Sequence, residues 1–89
     1  MNHAGRAVLT LYDRPGFRLL AHIEARGAYL RVVLELNGAP VRTARRPTLT
    51  SSLRWAITLS GRVIEVFGQR PETIALDRAF RQASIQLAA

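Results

Sequence analysis

Residues 17–36, FRLLAHIEARGAYLRVVLEL, decide the fold of this 89-residue chain. Apolar and polar side chains alternate on both sides of Arg26-Gly27, which is the pattern of two half-buried strands joined by a tight turn. A two-residue loop at Arg26-Gly27 pairs Ile23 with Leu30, Ala21 with Val32, Leu19 with Leu34 and Phe17 with Leu36, so one face is wholly apolar. The other face then sets Glu24 opposite Tyr29, His22 opposite Arg31, Leu20 opposite Val33 and Arg18 opposite Glu35, the last an ion pair across strands.

Turn signals flank this hairpin on both sides. A three-residue loop at Arg14-Pro15-Gly16 brings Leu11, Leu9 and Ala7 onto the apolar face, and Asn37-Gly38 brings Val41 and Thr43 there. The result is a four-stranded antiparallel meander with one face that needs a cover. That cover is expected from a helix over about 50–60, capped by Thr50 or Ser51, with Leu53, Ala56, Ile57 and Ser60 on one stripe and Gly61 as its stop. The same residues also read as a strand, with Leu53, Trp55, Ile57 and Leu59 alternating against Arg54, Ala56, Thr58 and Ser60. The uncovered sheet favours the helix. A short strand over about 62–67 follows, and Pro71-Glu72-Thr73 opens a C-terminal helix over about 71–86 with Leu76, Phe80, Ala83 and Leu87 on its apolar stripe. The expected class is α+β, and residues 1–89 are expected to form one compact basic domain.

Composition narrows the function. The 13 basic residues are all arginine, set against 6 acidic ones for a formal net charge of +7. An apolar fraction of 48% is enough for a core and too high for a disordered basic tail. Zero cysteines exclude disulfides, thiolate-held metals and thiol nucleophiles. No apolar run approaches the roughly 20 residues of a spanning helix, and no leader-like segment opens the chain, so a cytoplasmic protein without membrane contact is expected.

Residues for catalysis are sparse. His3 and His22 are the two histidines, and neither has a partner at metal-ligand or triad spacing. Asp13, Glu24, Glu35, Glu65, Glu72 and Asp77 fit turns, caps and ion pairs, and the six glycines stand singly with no phosphate-cradling fingerprint. The expectation is a non-enzymatic protein with no catalytic residue, no metal and no cofactor.

The outward sheet face carries the functional reading. Arg6, Arg18, Arg31, Arg42 and Arg46 are expected to project there with Tyr12, Tyr29 and His22, against Glu24 and Glu35. Arginine forks hold phosphates and aromatic rings stack on unpaired bases, so Arg18, Arg31, Arg42, Arg46, Tyr12, Tyr29 and His22 form a candidate surface for nucleic acid or a nucleoprotein complex. The same residue types are enriched at protein-binding hot spots. An acidic protein surface is therefore the alternative partner, with Trp55, Val33 and Leu20 as apolar anchors. In size and layout the chain resembles compact phage-encoded inhibitors, some anti-CRISPR proteins among them, which implies an inhibitor or adaptor that docks on a protein. The exposed edge strand leaves room for a homodimer without demanding one.

Overall fold

Three two-residue turns order the sheet in the computed structural model, which describes residues 5–89; His3 lies outside the described residues. The strands are β1 (Arg6–Arg14), β2 (Phe17–Arg26), β3 (Tyr29–Leu36) and β4 (Ala39–Arg46), followed by helices α1 (Leu49–Val66) and α2 (Leu76–Ala88). They pair antiparallel in the order β1-β2-β3-β4. Both helices cover one face, with α2 chiefly over β1 and α1 over β3 and β4. The α+β class and the four-stranded meander are as expected.

Turn chemistry explains the pairing. Asn37 and Gly38 both have positive φ, at 51° and 85°, the backbone that matches the twist of two-residue hairpins. At the central hairpin Gly27, with φ 60°, takes the first loop position rather than the second. Arg26 therefore pairs with Tyr29, and Ile23 meets Val32 where Leu30 was expected. The register moves by two residues, an even shift that leaves every side chain on its expected face. Leu19, Ala21, Ile23, Val32 and Leu34 all lie in the core.

Two β-bulges alter faces, and neither was foreseen. The loop after β1 is Pro15-Gly16, one residue shorter than expected, and the residue released is inserted between Thr10 and Tyr12. Beyond this bulge Tyr12 pairs with Leu19 and turns inward, where it is 1% exposed. In β4 the extra residue is Val41, so Arg42 pairs with Leu34 and Ala44 with Val32. Val41 and Thr43 are thus exposed instead of lying on the apolar face. A bulge placed in an edge strand adds twist and discourages edge-to-edge pairing.

The other edge is protected differently. The Gln86 side chain of α2 accepts from Val8 N–H at 2.7 Å and donates to Val8 C=O at 3.2 Å, in the manner of a neighbouring strand. Helix α2 can sit this close because Gly5 has no side chain: a Cβ there would lie 2.5 Å from the Leu87 carbonyl oxygen.

Helix α1 corrects three expectations. Its N-cap is Thr48, not Thr50 or Ser51; the Thr48 hydroxyl accepts from Ser51 N–H at 3.1 Å and Ser51 Oγ accepts from Thr48 N–H at 3.3 Å. It runs through Gly61 to Val66, so the strand expected over 62–67 is helical. The buried series Ser52, Leu53, Ala56, Ser60, Val63 and Ile64 continues past Gly61, and burying two more aliphatic side chains outweighs the roughly 1 kcal/mol that a mid-helix glycine costs. The stop is Gly68, with φ 67°. Its N–H donates to Glu65 O at 3.0 Å and Gln69 N–H to Ile64 O at 2.9 Å, the paired bonds of a Schellman end.

These two glycines make a matched test. Gly61→Ala, with nothing within 4 Å of the added methyl, is expected to stabilise the fold by about 0.5–1 kcal/mol. Gly68→Ala is expected to cost about 1–2 kcal/mol, because it forces a left-handed residue. Urea unfolding midpoints of the two variants check both signs.

Pro71 does not start a helix. Residues 69–75 form neither helix nor strand, and α2 begins at Leu76 instead of near 71. The segment is tied down by Tyr12 Oη donating to Arg70 O at 2.6 Å and by Arg14 donating to the Glu72 carboxylate. Ala79 and Ala83 supply the buried contacts of α2, while Phe80, expected on the inner stripe, is 42% exposed. Among the described residues no helix is long and apolar enough to cross a membrane.

Candidate functional site

The outer sheet face is largely neutralised by its own pairs. Glu24 takes Arg6 at 3.0 Å and Arg26 at 2.7 Å, and Asp13 takes Arg18 at 3.3 Å. His22 Nε2 lies 2.9 Å from Glu35 Oε1, out of line for a hydrogen bond. Leu20 and Val33 sit half-buried among these groups. Arg18 and His22, read from sequence as binding residues, therefore each have an internal carboxylate partner.

Glu24 shows the electrostatic effect most clearly. The Arg26 hydrogen bond holds its carboxyl below the usual value near 4.5, with the charges of Arg26, Arg6 and Arg31 acting the same way and partial burial opposing them. A carboxyl depressed in the folded state contributes stability above its unfolded pKa and loses it as pH falls through the folded one. Glu24→Gln is accordingly expected to lower the urea midpoint at neutral pH, with the two proteins converging once acid has protonated Glu24. Midpoints measured from neutral pH into the acid range check this; a constant gap would contradict it.

The unneutralised charge lies around β4. Past the Val41 bulge, Arg42 and Arg46 turn to the helix side of the sheet, opposite Leu34 and Leu30, and not to the outward face where they were expected. There they meet Arg54 and Arg62 of α1 across an open groove of about 620 Å³, also lined by Pro47, Ser51, Trp55, Thr58 and Leu59. No carboxylate lines this groove. Among the described residues none of these four arginines forms an ion pair. On α1 the spacing of Arg54, Thr58 and Arg62 places all three on one flank, with about 12 Å between the two arginine positions.

Arg45, not Arg46, faces outward at this end of β4. It pairs with Arg31, and its guanidinium lies 4.9 Å from the centre of the Tyr29 ring. Like charges directly opposite on neighbouring strands are destabilising, and the Tyr29 ring offsets part of that by cation–π attraction. Five arginines, Arg42, Arg45, Arg46, Arg54 and Arg62, thus surround the β4 edge with no ion pair among the described residues, beside Arg31, whose nearest carboxylate is Glu24 opposite it on β2.

Tyr12 leaves the candidate surface. It is a core residue, edge-on to Phe17 at 5.7 Å between ring centres, with the Arg14 guanidinium over its other side at 4.9 Å. Trp55 is half-buried, packed against the core while lining the groove. Sequence reasoning missed Arg45, Arg54 and Arg62. The signal for the helical pair was their eight-residue spacing, hidden by stopping the helix at Gly61. Among the described residues no three acidic or imidazole groups cluster to hold a metal ion.

Comparison with family models, with curated proteins and with solved structures finds no match. Function must therefore be argued from this chain's own residues.

Proposed function

We propose that this chain is a small non-enzymatic binding domain that engages nucleic acid, free or within a nucleoprotein complex, through the arginine-lined groove between β4 and α1. The observation that carries this reading is the convergence of Arg42, Arg46, Arg54 and Arg62 with no carboxylate among them. Placing four guanidiniums together raises self-repulsion, and an anionic chain relieves it while receiving forked hydrogen bonds. Arg31 and Arg45 extend the same field onto the other side of β4.

The test is the salt dependence of binding to a labelled single-stranded oligonucleotide, followed by fluorescence anisotropy. Four arginines on phosphates predict that log affinity falls by about 3 for each tenfold rise in salt, from roughly 0.7 per phosphate. Absence of binding at low salt, or a slope near zero, overturns the reading.

A second reading is favoured by Trp55. Tryptophan and arginine together are the usual anchors of protein interfaces, so the groove also suits an acidic protein surface, as in an inhibitor of the phage-encoded type or an adaptor. That reading predicts a shallow salt slope and a partner that survives nuclease treatment.

A further inference from the structure

The groove has a floor that phosphate binding alone does not require. Besides its four arginines the groove is lined by Trp55, Leu59 and Pro47, and Trp55 is the only tryptophan of the chain. It packs against the core while lining the groove, so an aromatic side chain lies beside four cations. We propose that the groove takes single-stranded nucleic acid, with an unpaired base stacked on Trp55 and the flanking phosphates on Arg42, Arg46, Arg54 and Arg62; this rests on the nucleic-acid reading above.

Two observations favour a single strand over a duplex. The first is the pairing of rim and floor, because a duplex offers phosphates but keeps its base faces inside the stack, whereas a single strand offers both at once. The second is the geometry of the rims. Arg42 and Arg46 are four residues apart along a strand, about 13 Å, and Arg54 and Arg62 are about 12 Å apart along the helix. Two cationic rows of similar length thus line the groove that also holds the indole.

The other aromatic candidates do not compete. Tyr12 is buried, and one face of Tyr29 is already taken by Arg45. Phe67 and Phe80 are exposed but do not line the groove.

A single tryptophan makes the test direct. Its emission is followed while the protein is titrated with a short thymidine oligomer, an abasic oligomer of equal phosphate number, a duplex of equal length and a polyglutamate chain. The thymidine oligomer is expected to quench the emission and to bind about tenfold or more tighter than the abasic one, the usual worth of one base–aromatic stack. The duplex is expected to leave the emission unquenched. Trp55→Leu, checked for folding by its thermal melt, is expected to erase the difference between thymidine and abasic oligomers while keeping the abasic affinity; if the variant does not fold, the wild-type comparison decides alone. Equal affinity for thymidine and abasic oligomers overturns the stacked base and leaves the polyanion reading standing. Binding of neither oligomer at low salt overturns both, and tighter, quenching binding of polyglutamate overturns both in favour of an acidic protein partner.

Discussion

Replacing Arg42, Arg46, Arg54 and Arg62 together by glutamine is expected to lower oligonucleotide affinity by roughly a hundredfold to a thousandfold at low salt and to remove most of its salt dependence. The four side chains line one groove, and none is engaged by a carboxylate among the described residues. Removing them deletes ligand contacts without leaving a buried acid unpaired. Glutamine keeps a polar head of similar reach, so the loss isolates charge. Stability is expected to hold or rise, because four fewer like charges repel one another. The matching control is Arg6, Arg18 and Arg26 changed together to glutamine. Those guanidiniums already pair with Glu24 and Asp13, and their loss is expected to change affinity by less than about threefold while costing some stability. Anisotropy titrations of both variants over a salt series separate the two outcomes.

The largest stability effect is expected at Tyr12. Tyr12→Ala removes a fully buried ring that contacts Phe17 and holds Arg70 through its hydroxyl, and a cost of about 3–5 kcal/mol follows from the cavity alone. Domains of this kind have only about 5–15 kcal/mol of total stability, so the variant is expected to be near the limit of folding at room temperature. Its melting temperature is expected to fall by at least about 12 °C. Tyr12→Phe keeps the ring and loses only the hydrogen bond to Arg70 O, for about 1–2 kcal/mol. Denaturant unfolding of the two variants measures both steps. A cost below about 1 kcal/mol for Tyr12→Ala would mean that the residue faces solvent, as it would in an unbulged β1.

The contrast between Tyr12 and its neighbours shows how far the fold is legible in the sequence. Gly16, Gly27 and Asn37-Gly38 mark three turns because few residues other than glycine and asparagine accept positive φ. The alternation through β2 and β3 then assigns both faces of the central hairpin correctly even though its register is two residues off, since an even shift changes partners and not sides. Bulges lack such a signal. A three-residue loop and a two-residue loop preceded by a bulge at Leu11 consume the same number of residues, so spacing cannot tell them apart. The second bulge, at Val41, follows a turn that was read correctly and still moves Arg42 and Arg46 to the helix side.

The candidate site is displaced for the same reason. Its chemistry, arginine beside an aromatic ring, was legible, but its location depends on one inserted residue in β4 and on a helix that continues through Gly61. That continuation is a tertiary outcome. Val63 and Ile64 gain burial against the rest of the fold, and no local propensity at Ser60-Gly61 announces it. Pro71 was misleading in the opposite direction, because the non-helical segment around it is tied down at Arg70 and Glu72 by Tyr12 and Arg14, residues nearly sixty positions earlier in the chain.

The proposed anion site lies between β4 and α1 and not on the outer sheet face. An NMR titration that resolves the arginine Nε–H signals and the indole N–H tests it most directly. On addition of a single-stranded oligomer, Arg42, Arg46, Arg54 and Arg62 are expected to shift together with Trp55, while Arg6, Arg18 and Arg26 remain in place. Shifts confined to Arg6, Arg18 and Arg26, with Trp55 and the groove arginines unmoved, would contradict it.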